Sequence, residues 1–207
     1  MEEYVIVCDF DGTMVEEQVD FMLFDKYASP FWHDLEEMRI GNLLSYEDAM
    51  KGEVMLLKCS EKEIEDFVNA HMTPRRGLTE FKKRCDDAHL PFYIVSAGLD
   101  YYIKLFIKNN KWKNVEIIAP SLKKEGGGYT VTYPVTPYSK GTVVENIRRK
   151  HPSKKIVFMG DGSLDLEGAL EADIIFARRK LKDMLLERKK DFYSFEDFND
   201  AIHVLFE

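Results

Sequence analysis

The sequence predicts an α/β protein with a doubly wound parallel sheet and a small helical cap inserted after the first strand. Short apolar runs alternate with segments of helical periodicity through most of the chain. The first run, residues 4–8, is uninterrupted and mostly β-branched, which is typical of a strand buried on both faces. Residues 16–73 contain no such run. We therefore predict a core formed by residues 1–15 and 74–207 and a cap formed by residues 16–73.

Within the cap, the spacing of apolar residues predicts three or four short amphipathic helices. Two of them begin with capping-box patterns, one formed by Ser45 and Asp48 and the other by Ser60 and Glu63. Isolated helices of this length are only marginally stable in water. We therefore expect the cap to pack against the core.

After Pro74 the chain returns to alternating helices and strands. The glycines at 126–128, followed by alternating residues, predict a hairpin. Strands separated by helices imply a parallel sheet with right-handed crossovers and helices on both faces. The predicted strands are 92–95, 115–118, 156–159, 174–176 and a short one at 192–193, and the predicted helices are 77–89, 99–110, 139–151, 164–172, 180–190 and 195–206.

Composition excludes several classes of protein. The chain has 207 residues, of which 45% are hydrophobic and 32% charged, as in an ordinary globular protein. A net charge of −8 argues against a nucleic-acid partner, which requires clustered cations. Three cysteines without C-x-x-C spacing disfavour a disulfide framework and a zinc site. The acidic start, Met1-Glu2-Glu3, and the absence of an 18-residue apolar segment predict a cytoplasmic protein that does not bind membranes. Nothing in the sequence predicts an oligomeric state.

Polar loops follow three of the predicted strands. They are Asp9-Phe10-Asp11-Gly12-Thr13, Ser96-Ala97-Gly98 and residues 160–165. Each loop alone is typical of a simple turn. However, the carboxyl ends of parallel strands form the ligand-binding crevice of such sheets. Asp9 and Asp11 also repel each other, so a cation or a chemical role is needed to explain their proximity. Together the loops indicate a functional site.

The residues at these strand ends carry a resemblance to a known family. Asp9-x-Asp11-x-Thr13, Ser96, Lys140 and Gly160-Asp161-x-x-x-Asp165 resemble the four ordered motifs of the haloacid dehalogenase superfamily. Members have a Rossmann-like core, and many carry a helical cap directly after the first motif. The branch resembles the phosphoserine phosphatase-like group. Within it, residues 8–13, 29–32, 91–96 and 176–178 are similar to a phosphatase of methionine salvage.

The resemblance implies a phosphoric monoester hydrolase acting on a small-molecule phosphate ester. Asp9 would attack phosphorus to give an aspartyl-phosphate, and Asp11 would act as general acid and then as general base. Mg²⁺ would be bound by Asp9, Asp161 and the backbone carbonyl of Asp11, with Asp165 supporting these ligands. All-oxygen ligation suits this ion, and three anionic groups in a dry cleft require a cation.

The same resemblance assigns a phosphate-binding set. Ser96 and the N–H groups of Ala97 and Gly98, at a helix N-terminus, would hold phosphate oxygens. Lys140 would neutralise the nucleophile and the charge of the intermediate. A lysine at a helix start is ordinarily a solvated side chain, and its motif position is what indicates this role.

Three departures from the branch concern the substrate and the metal site. Gln18 and Glu53 occupy positions where phosphoserine phosphatases have a glutamate and an arginine that read the amino acid. A glutamate would repel a substrate carboxylate, so phosphoserine is disfavoured unless Arg39 or Lys51 substitutes. Leu164 replaces an asparagine common in the branch, which affects the expected geometry of the metal site.

Alternative functions remain open at this point. Phosphoserine phosphatase activity is the second choice, and a phosphotransferase of the same branch would use the same residues. A non-catalytic phospho-ligand binding module is disfavoured because Asp9 and Asp11 are both present. The apolar side chains of the cap could line a substrate pocket, but we expect most of them to form the core of the helical bundle. They are Phe21, Phe24, Phe31, Trp32, Met38, Met50 and Met55.

Overall fold

A computed structural model describes residues 3–135 and 138–207. Within these residues, six parallel strands form one sheet and two antiparallel strands form a hairpin. The strands are β1 (Tyr4–Cys8), β2 (Phe92–Val95), β3 (Val115–Ile118), β4 (Ser121–Glu125), β5 (Gly128–Thr132), β6 (Lys155–Gly160), β7 (Ile174–Ala177) and β8 (Tyr193–Ser194). The strand order of the sheet is β3-β2-β1-β6-β7-β8, and the predicted α/β fold is confirmed. β4 and β5 form the predicted hairpin.

β1 lies at the centre of the sheet because both of its edges are paired. Ile6 is in register with Phe92 on one side and with Val157 on the other. Successive side chains of a strand point to opposite faces, and both faces of β1 are covered. Ile6 packs in one apolar layer, whereas Val5 and Val7 pack in the other. This explains why the first strand has no alternating polar positions.

The cap segment, residues 16–73, contains four helices in this structure: α1 (Val19–Tyr27), α2 (Trp32–Ile40), α3 (Tyr46–Met55) and α4 (Glu61–His71). Ser60 and Glu63 form the complete capping box that the sequence predicts. Ser45 also caps its helix by accepting the amide of Asp48, but the Asp48 carboxylate accepts the Ser45 hydroxyl. The division into core and cap remains a prediction.

The helices of the rest of the chain follow the predicted order with shifted ends. They are α5 (Leu78–Asp87), α6 (Asp100–Asn109), α7 (Lys140–Lys150), α8 (Leu166–Leu170), α9 (Arg179–Glu187) and α10 (Phe198–Phe206). The predicted helix 164–172 is a short 3₁₀ turn, Ser163–Asp165, followed by α8. The last helix begins at Phe198 because Asp197 caps it. The last strand lies one residue later than predicted. Among the described residues, no helix combines the length and apolar character needed to cross a membrane.

Candidate active site

The three polar loops meet at one edge of the sheet because β1, β2 and β6 are neighbours. Cys8 is in register with Ile94 and with Met159, so the three strands end at the same level. Asp9, Ser96 and Asp161 are the residues that follow these ends. The Asp9 amide also donates to the Met159 carbonyl at 2.9 Å, which ties the first loop to β6. The sequence prediction that these loops form one crevice agrees with this geometry.

The turn after β1 is tight and is held by a buried arginine. Gly12 has a φ of +73°, in the left-handed region that favours glycine. A Cβ atom there would lie 2.5 Å from Asp161 Oδ2, so this position also has no room for a side chain. Arg75 donates to the carbonyls of Thr13 and Gly12, each at 2.7 Å. No sequence motif marks Arg75, since its partners lie 62 and 63 residues away.

A cluster of buried carboxylates forms the floor of the site. Oxygens of Asp9, Asp161 and Asp165 all lie within 4.8 Å of one another. The Lys140 ammonium donates to Asp9 Oδ1 at 2.6 Å and to Asp165 Oδ1 at 2.5 Å. Lys140 is only 3% exposed, so it is not the solvated lysine that a helix start usually presents. Lys140 therefore pairs with two of the three carboxylates, and the third, Asp161, faces the Arg179 guanidinium at 3.3 Å.

The pKa values in the cluster reflect this crowding. Burial, followed by the charge of Asp165, raises the pKa of Asp9 to about 8 although Lys140 opposes the shift. Burial and Asp165 also raise the pKa of Asp161, which lies 3.3 Å from the Arg179 guanidinium. Burial alone would lower the pKa of Lys140, but Asp165 and Asp9 raise it above its ordinary value. The site thus favours additional positive charge.

Asp165 uses both carboxylate oxygens within the protein. Oδ2 accepts the amides of Asp161 and Gly162 at 2.9 and 2.8 Å, while Oδ1 accepts Lys140. These bonds fix the backbone of Asp161 and Gly162 and therefore the position of the Asp161 carboxylate. Such an arrangement is consistent with the predicted supporting role, in which Asp165 orients ligands without being one.

The donor set fits a hard divalent cation. Carboxylate oxygens of Asp9 and Asp161 converge in a space that no Cβ at Gly12 restricts. Oxygen ligands of this kind suit Mg²⁺. A cation there would offset the repulsion that raises the pKa of both carboxylates.

Asp11 is held by one group from the cap and one from the core. The amide of Val19, in the first turn of α1, donates to Asp11 Oδ1 at 2.8 Å. The hydroxyl of Tyr102, on α6, donates to Oδ2 at 2.7 Å. Burial, followed by the charge of Asp20, raises the pKa of Asp11 well above its ordinary value, and the Tyr102 hydrogen bond opposes this shift. The surroundings of Asp11 therefore favour its protonated form more than water does. No pattern in the sequence singles out Tyr102.

The loop after β2 is closely packed. The amide of Gly98 donates to Ser96 Oγ at 2.9 Å, so it is already used within the loop. The hydroxyls of Tyr46 and Tyr138 donate to the carbonyls of Ala97 and Ser96, respectively. A Cβ at Gly98 would overlap the Tyr102 hydroxyl and Asp11 Oδ2. The predicted phosphate loop thus lies in the site, with α6 beginning at Asp100 rather than directly after Ser96.

A cavity of about 210 Å³ opens between this floor and the cap. The core side contributes all of the predicted site residues. The cap side contributes Gln18 and Glu53, together with Arg39, but Lys51 does not line the cavity. The lining residues on the core side are Asp9, Asp11, Ser96, Ala97, Gly98, Lys140, Asp161 and Asp165, with Gly162, Ser163 and Leu164, and those on the cap side are Gln18, Asp20, Phe21, Glu36, Arg39, Tyr46, Met50 and Glu53.

A family model described as haloacid dehalogenase-like hydrolase matches residues 6–170, which include every motif residue of the site. The chain belongs to this family. The resemblance predicted from the ordered motifs is therefore confirmed.

Two relatives show how far the similarity extends along the chain. A 2-hydroxy-3-keto-5-methylthiopentenyl-1-phosphate phosphatase of Brevibacillus brevis is 28% identical, over 99% of this chain and 96% of the relative. A phosphatase of the same name from an Exiguobacterium species is 25% identical, over 94% of each chain. The predicted enzyme class, a phosphoric monoester hydrolase, is confirmed by the family match and by these relatives.

Solved structures give the same fold. A phosphoserine phosphatase described as a phospho-aspartyl intermediate analogue superimposes with a TM-score of 0.76 and covers 100% of this chain and 99% of its own. Its sequence is 20% identical, so the likeness concerns the fold.

Proposed function

We propose that the protein is a Mg²⁺-dependent phosphatase that hydrolyses a small phosphomonoester through an aspartyl-phosphate on Asp9. The observation that carries this proposal is the buried contact of Asp9 with Lys140 beside Asp161. Lys140 opposes the rise in the pKa of Asp9, and a bound divalent cation would oppose it further, so that Asp9 is held in a fixed direction as the carboxylate that a nucleophile toward phosphate requires. Thr13 fixes the second oxygen of Asp9 by donating to Oδ2 at 3.1 Å.

In the first step, the Asp9 carboxylate attacks phosphorus and the bond between phosphorus and the ester oxygen breaks. The departing alkoxide takes a proton from Asp11. Because burial raises the pKa of Asp11, the site favours the protonated form that can supply this proton. Tyr102 and Val19 hold the Asp11 carboxyl group in place during the transfer.

In the second step, water attacks phosphorus of the aspartyl-phosphate and the bond to Asp9 breaks. Asp11, now ionised, accepts a proton from this water and returns to its starting state. Lys140 neutralises negative charge on Asp9 when the phosphate departs. Ser96 and the loop amides of Ala97 and Gly98 are proposed to hold the phosphate oxygens, which requires the Gly98 amide to leave Ser96 Oγ.

Mg²⁺ would be held by Asp9, Asp161 and the backbone carbonyl of Asp11. When bound, the ion supplies positive charge that stabilises the transferring phosphoryl group among the carboxylates. Asp165 would keep its bonds to Lys140 and to the two loop amides.

For the substrate, we propose 2-hydroxy-3-keto-5-methylthiopentenyl-1-phosphate. The proposal is supported by relatives of that name that align over nearly the whole chain. It is also supported by Glu53, which lies in the cavity wall where phosphoserine phosphatases carry an arginine. Arg39 lines the same wall, but its charge is engaged by Glu36, so it is a poor substitute for that arginine.

A panel of phosphorylated metabolites, assayed with and without Mg²⁺, tests this function. We expect release of inorganic phosphate that requires Mg²⁺, is fastest with the proposed substrate and is abolished in Asp9→Asn. Asp34→Asn is the matched control, because Asp34 is an exposed aspartate on α2 outside the cavity. Activity that survives Asp9→Asn would exclude the covalent route. Transfer of the phosphoryl group to a second metabolite would identify a phosphotransferase instead.

A further inference from the structure

The cap wall of the cavity is acidic at the end formed by α1, α2 and α3. Among the described residues that line it, Asp20, Glu36 and Glu53 supply three carboxylates and Arg39 supplies the guanidinium. None of these residues belongs to the motifs that carry the reaction. Acidic groups alone do not define a ligand site, so the hydrogen bonding of each group decides what the wall can accept.

Glu53 has an unpaired oxygen inside the cavity wall. The residue is 3% exposed and lies on α3. Within residues 3–135 and 138–207, Glu53 Oε1 has no hydrogen-bond partner. A buried polar atom without a partner is costly, and such atoms are rare in folded proteins. Oε1 itself is inaccessible to solvent, so a ligand reaches the Glu53 carboxylate from the side that lines the cavity, and a donor placed there would offset the cost of burying this group.

Arg39 does not donate a hydrogen bond to Glu53. Its guanidinium makes a bidentate pair with Glu36, with Nε and Nη2 donating at 2.5 and 2.6 Å. This pair uses two of the five guanidinium N–H groups, so the charge of Arg39 is shared: it lowers the pKa of Glu53, but no hydrogen bond joins the two side chains among the described residues. Asp20 Oδ1 accepts the amide of Phe21 at 2.8 Å. Asp20 therefore adds negative charge to the wall, but this oxygen already has a hydrogen-bond donor from the neighbouring residue.

We propose that Glu53, with Asp20 and the Glu36–Arg39 pair, forms a subsite for the part of the substrate beyond the ester oxygen, which in the proposed substrate includes the 2-hydroxyl group. The group it accepts is a hydrogen-bond donor, a hydroxyl or an ammonium, and it rejects a carboxylate. This proposal rests on the proposed phosphatase function, because the opposite end of the cavity must hold the phosphate.

The physical reason for the selectivity is desolvation. A hydroxyl or ammonium that enters the cavity loses water but gains a hydrogen bond to the Glu53 carboxylate, whose Oε1 has no donor among the described residues. A carboxylate loses more hydration and is repelled by the neighbouring acids, and it finds no donor at Glu53 once that group is ionised, above its pKa of about 8. A site built around a hydrogen bond therefore discriminates strongly against a ligand that cannot make it.

The test compares substrates with one carbon skeleton. Glycerol 3-phosphate and 3-phosphoglycerate differ at the end remote from phosphate, where the first has a hydroxyl and the second a carboxylate. A second pair, 3-aminopropyl phosphate and propyl phosphate, tests an ammonium against a methyl group. Rates are measured at about pH 9, where Glu53, with a pKa of about 8, is ionised. The quantity compared is the ratio of kcat/KM within each pair.

We expect the wild-type protein to favour glycerol 3-phosphate over 3-phosphoglycerate by about tenfold or more, and 3-aminopropyl phosphate over propyl phosphate in the same sense. Glu53→Gln should reduce both ratios several-fold, and Glu53→Arg should reverse the first. Glu37→Gln is the matched control, because Glu37 is an exposed glutamate on α2 outside the cavity. It should leave both ratios at their wild-type values.

The outcomes separate this proposal from the phosphatase function. Equal wild-type rates for the hydroxyl and carboxylate substrates would overturn the subsite, and this comparison needs no variant to fold. Ratios that are the same in Glu53→Gln, Glu53→Arg and wild type would overturn it as well. In both cases turnover itself would leave the phosphatase function intact. Failure of the wild-type protein to hydrolyse any phosphomonoester with Mg²⁺ would instead reject the proposed function.

Discussion

The two walls of the cavity differ in how completely their polar groups are satisfied. On the core side, both oxygens of Asp11 and of Asp165 have donors within the protein, and Asp9 is held by Lys140 and Thr13. On the cap side, Glu53 keeps an unpaired oxygen. The comparison indicates that the reactive groups are positioned before any substrate arrives, as catalysis requires. On the cap side, by contrast, the Glu53 carboxylate lacks a protein donor among the described residues, and the substrate is proposed to supply one.

Removing the core cation should produce the largest change. In Lys140→Met, Asp9 and Asp165 lose their shared donor and remain as buried, uncompensated carboxylates. We expect kcat to fall by about 10²- to 10³-fold, since an electrostatic partner of the reacting group is lost. Stability should fall by about 3–5 kcal/mol, as when one partner of a buried pair is removed. Steady-state kinetics and urea unfolding measure the two effects.

Lys150→Met is the control for this change, because Lys150 lies at the exposed end of the same helix and pairs with Glu116 on the surface. It should alter stability by less than about 1 kcal/mol. A Lys140→Met protein with wild-type stability and activity would show that the core wall is not built around this cation.

A methyl group at Gly98 should disturb the core wall next most strongly. The added Cβ of Gly98→Ala would overlap the Tyr102 hydroxyl and Asp11 Oδ2. We expect a loss of about 1–3 kcal/mol from overpacking, and reduced kcat because Asp11 is displaced. Gly128→Ala is the control, since its Cβ would meet only the Glu125 carbonyl, at 3.9 Å. Normal kcat in the Gly98→Ala protein would show that the packing at Asp11 is not critical.

The hydrogen bond from Tyr102 should have a smaller, substrate-dependent effect. In Tyr102→Phe, Asp11 loses the nearer donor to Oδ2 and keeps the Val19 amide at Oδ1 and the Ser96 hydroxyl at 3.5 Å from Oδ2. We expect kcat for alkyl phosphates to fall by roughly tenfold, because their leaving groups need a well-placed acid. Aryl phosphates, which leave readily without protonation, should react at nearly the wild-type rate. Tyr101→Phe, which removes an exposed neighbouring hydroxyl, should change neither rate. Equal slowing of both substrate classes would argue against positioning of the acid.

The effect of Glu53 on stability is seen as a function of pH. Burial, followed by Glu36 and Asp20, raises the pKa of Glu53 from 4.5 to about 8. Between these values the folded state binds the proton more tightly than the unfolded state. Stability from the neutral form is therefore present below pH 4.5 and is lost as pH rises through about 8.

Glu53→Gln removes this titration. The difference in Tm between Glu53→Gln and wild type should therefore shift in favour of the variant as pH rises from about 5 to about 8. Thermal unfolding at several pH values measures it, with Glu37→Gln as the control that should show no trend. A pH-independent difference would mean that Glu53 is not strained in the cavity wall.

The features that the sequence could predict differ from those it could not in the sequence separation of the residues involved. Strands, the order of the motif residues and the positions of Gln18 and Glu53 depend on short-range patterns and on spacing. The structure gives the predicted strands with ends shifted by one residue in places, and Gln18 and Glu53 line the cavity. Arg75 and Tyr102 were not predicted because their partners, Gly12 and Asp11, are distant in sequence and meet only after folding. Their residue types carry no signal by themselves.

The cap shows a similar limit. Among its large apolar side chains, Phe24, Trp32 and Met50 are buried in the core, as expected, and Phe21 and Met50 line the cavity. For three others the expectation is wrong, because they are exposed: Phe31, Met38 and Met55. Helical periodicity identifies an apolar face, but that face serves both the packing of helices and the wall of a pocket. Which residue does which depends on how the cap meets the core.

The central claim, covalent transfer of the phosphoryl group to Asp9, is tested most directly by trapping the intermediate. The protein is mixed with Mg²⁺ and a phosphate-labelled substrate and quenched in acid, and the labelled peptide is identified. We predict label on the peptide that contains Asp9, sensitive to hydroxylamine as an acyl phosphate is, and no label in Asp9→Asn. Rapid release of phosphate with no labelled peptide, or label retained in Asp9→Asn, would contradict it.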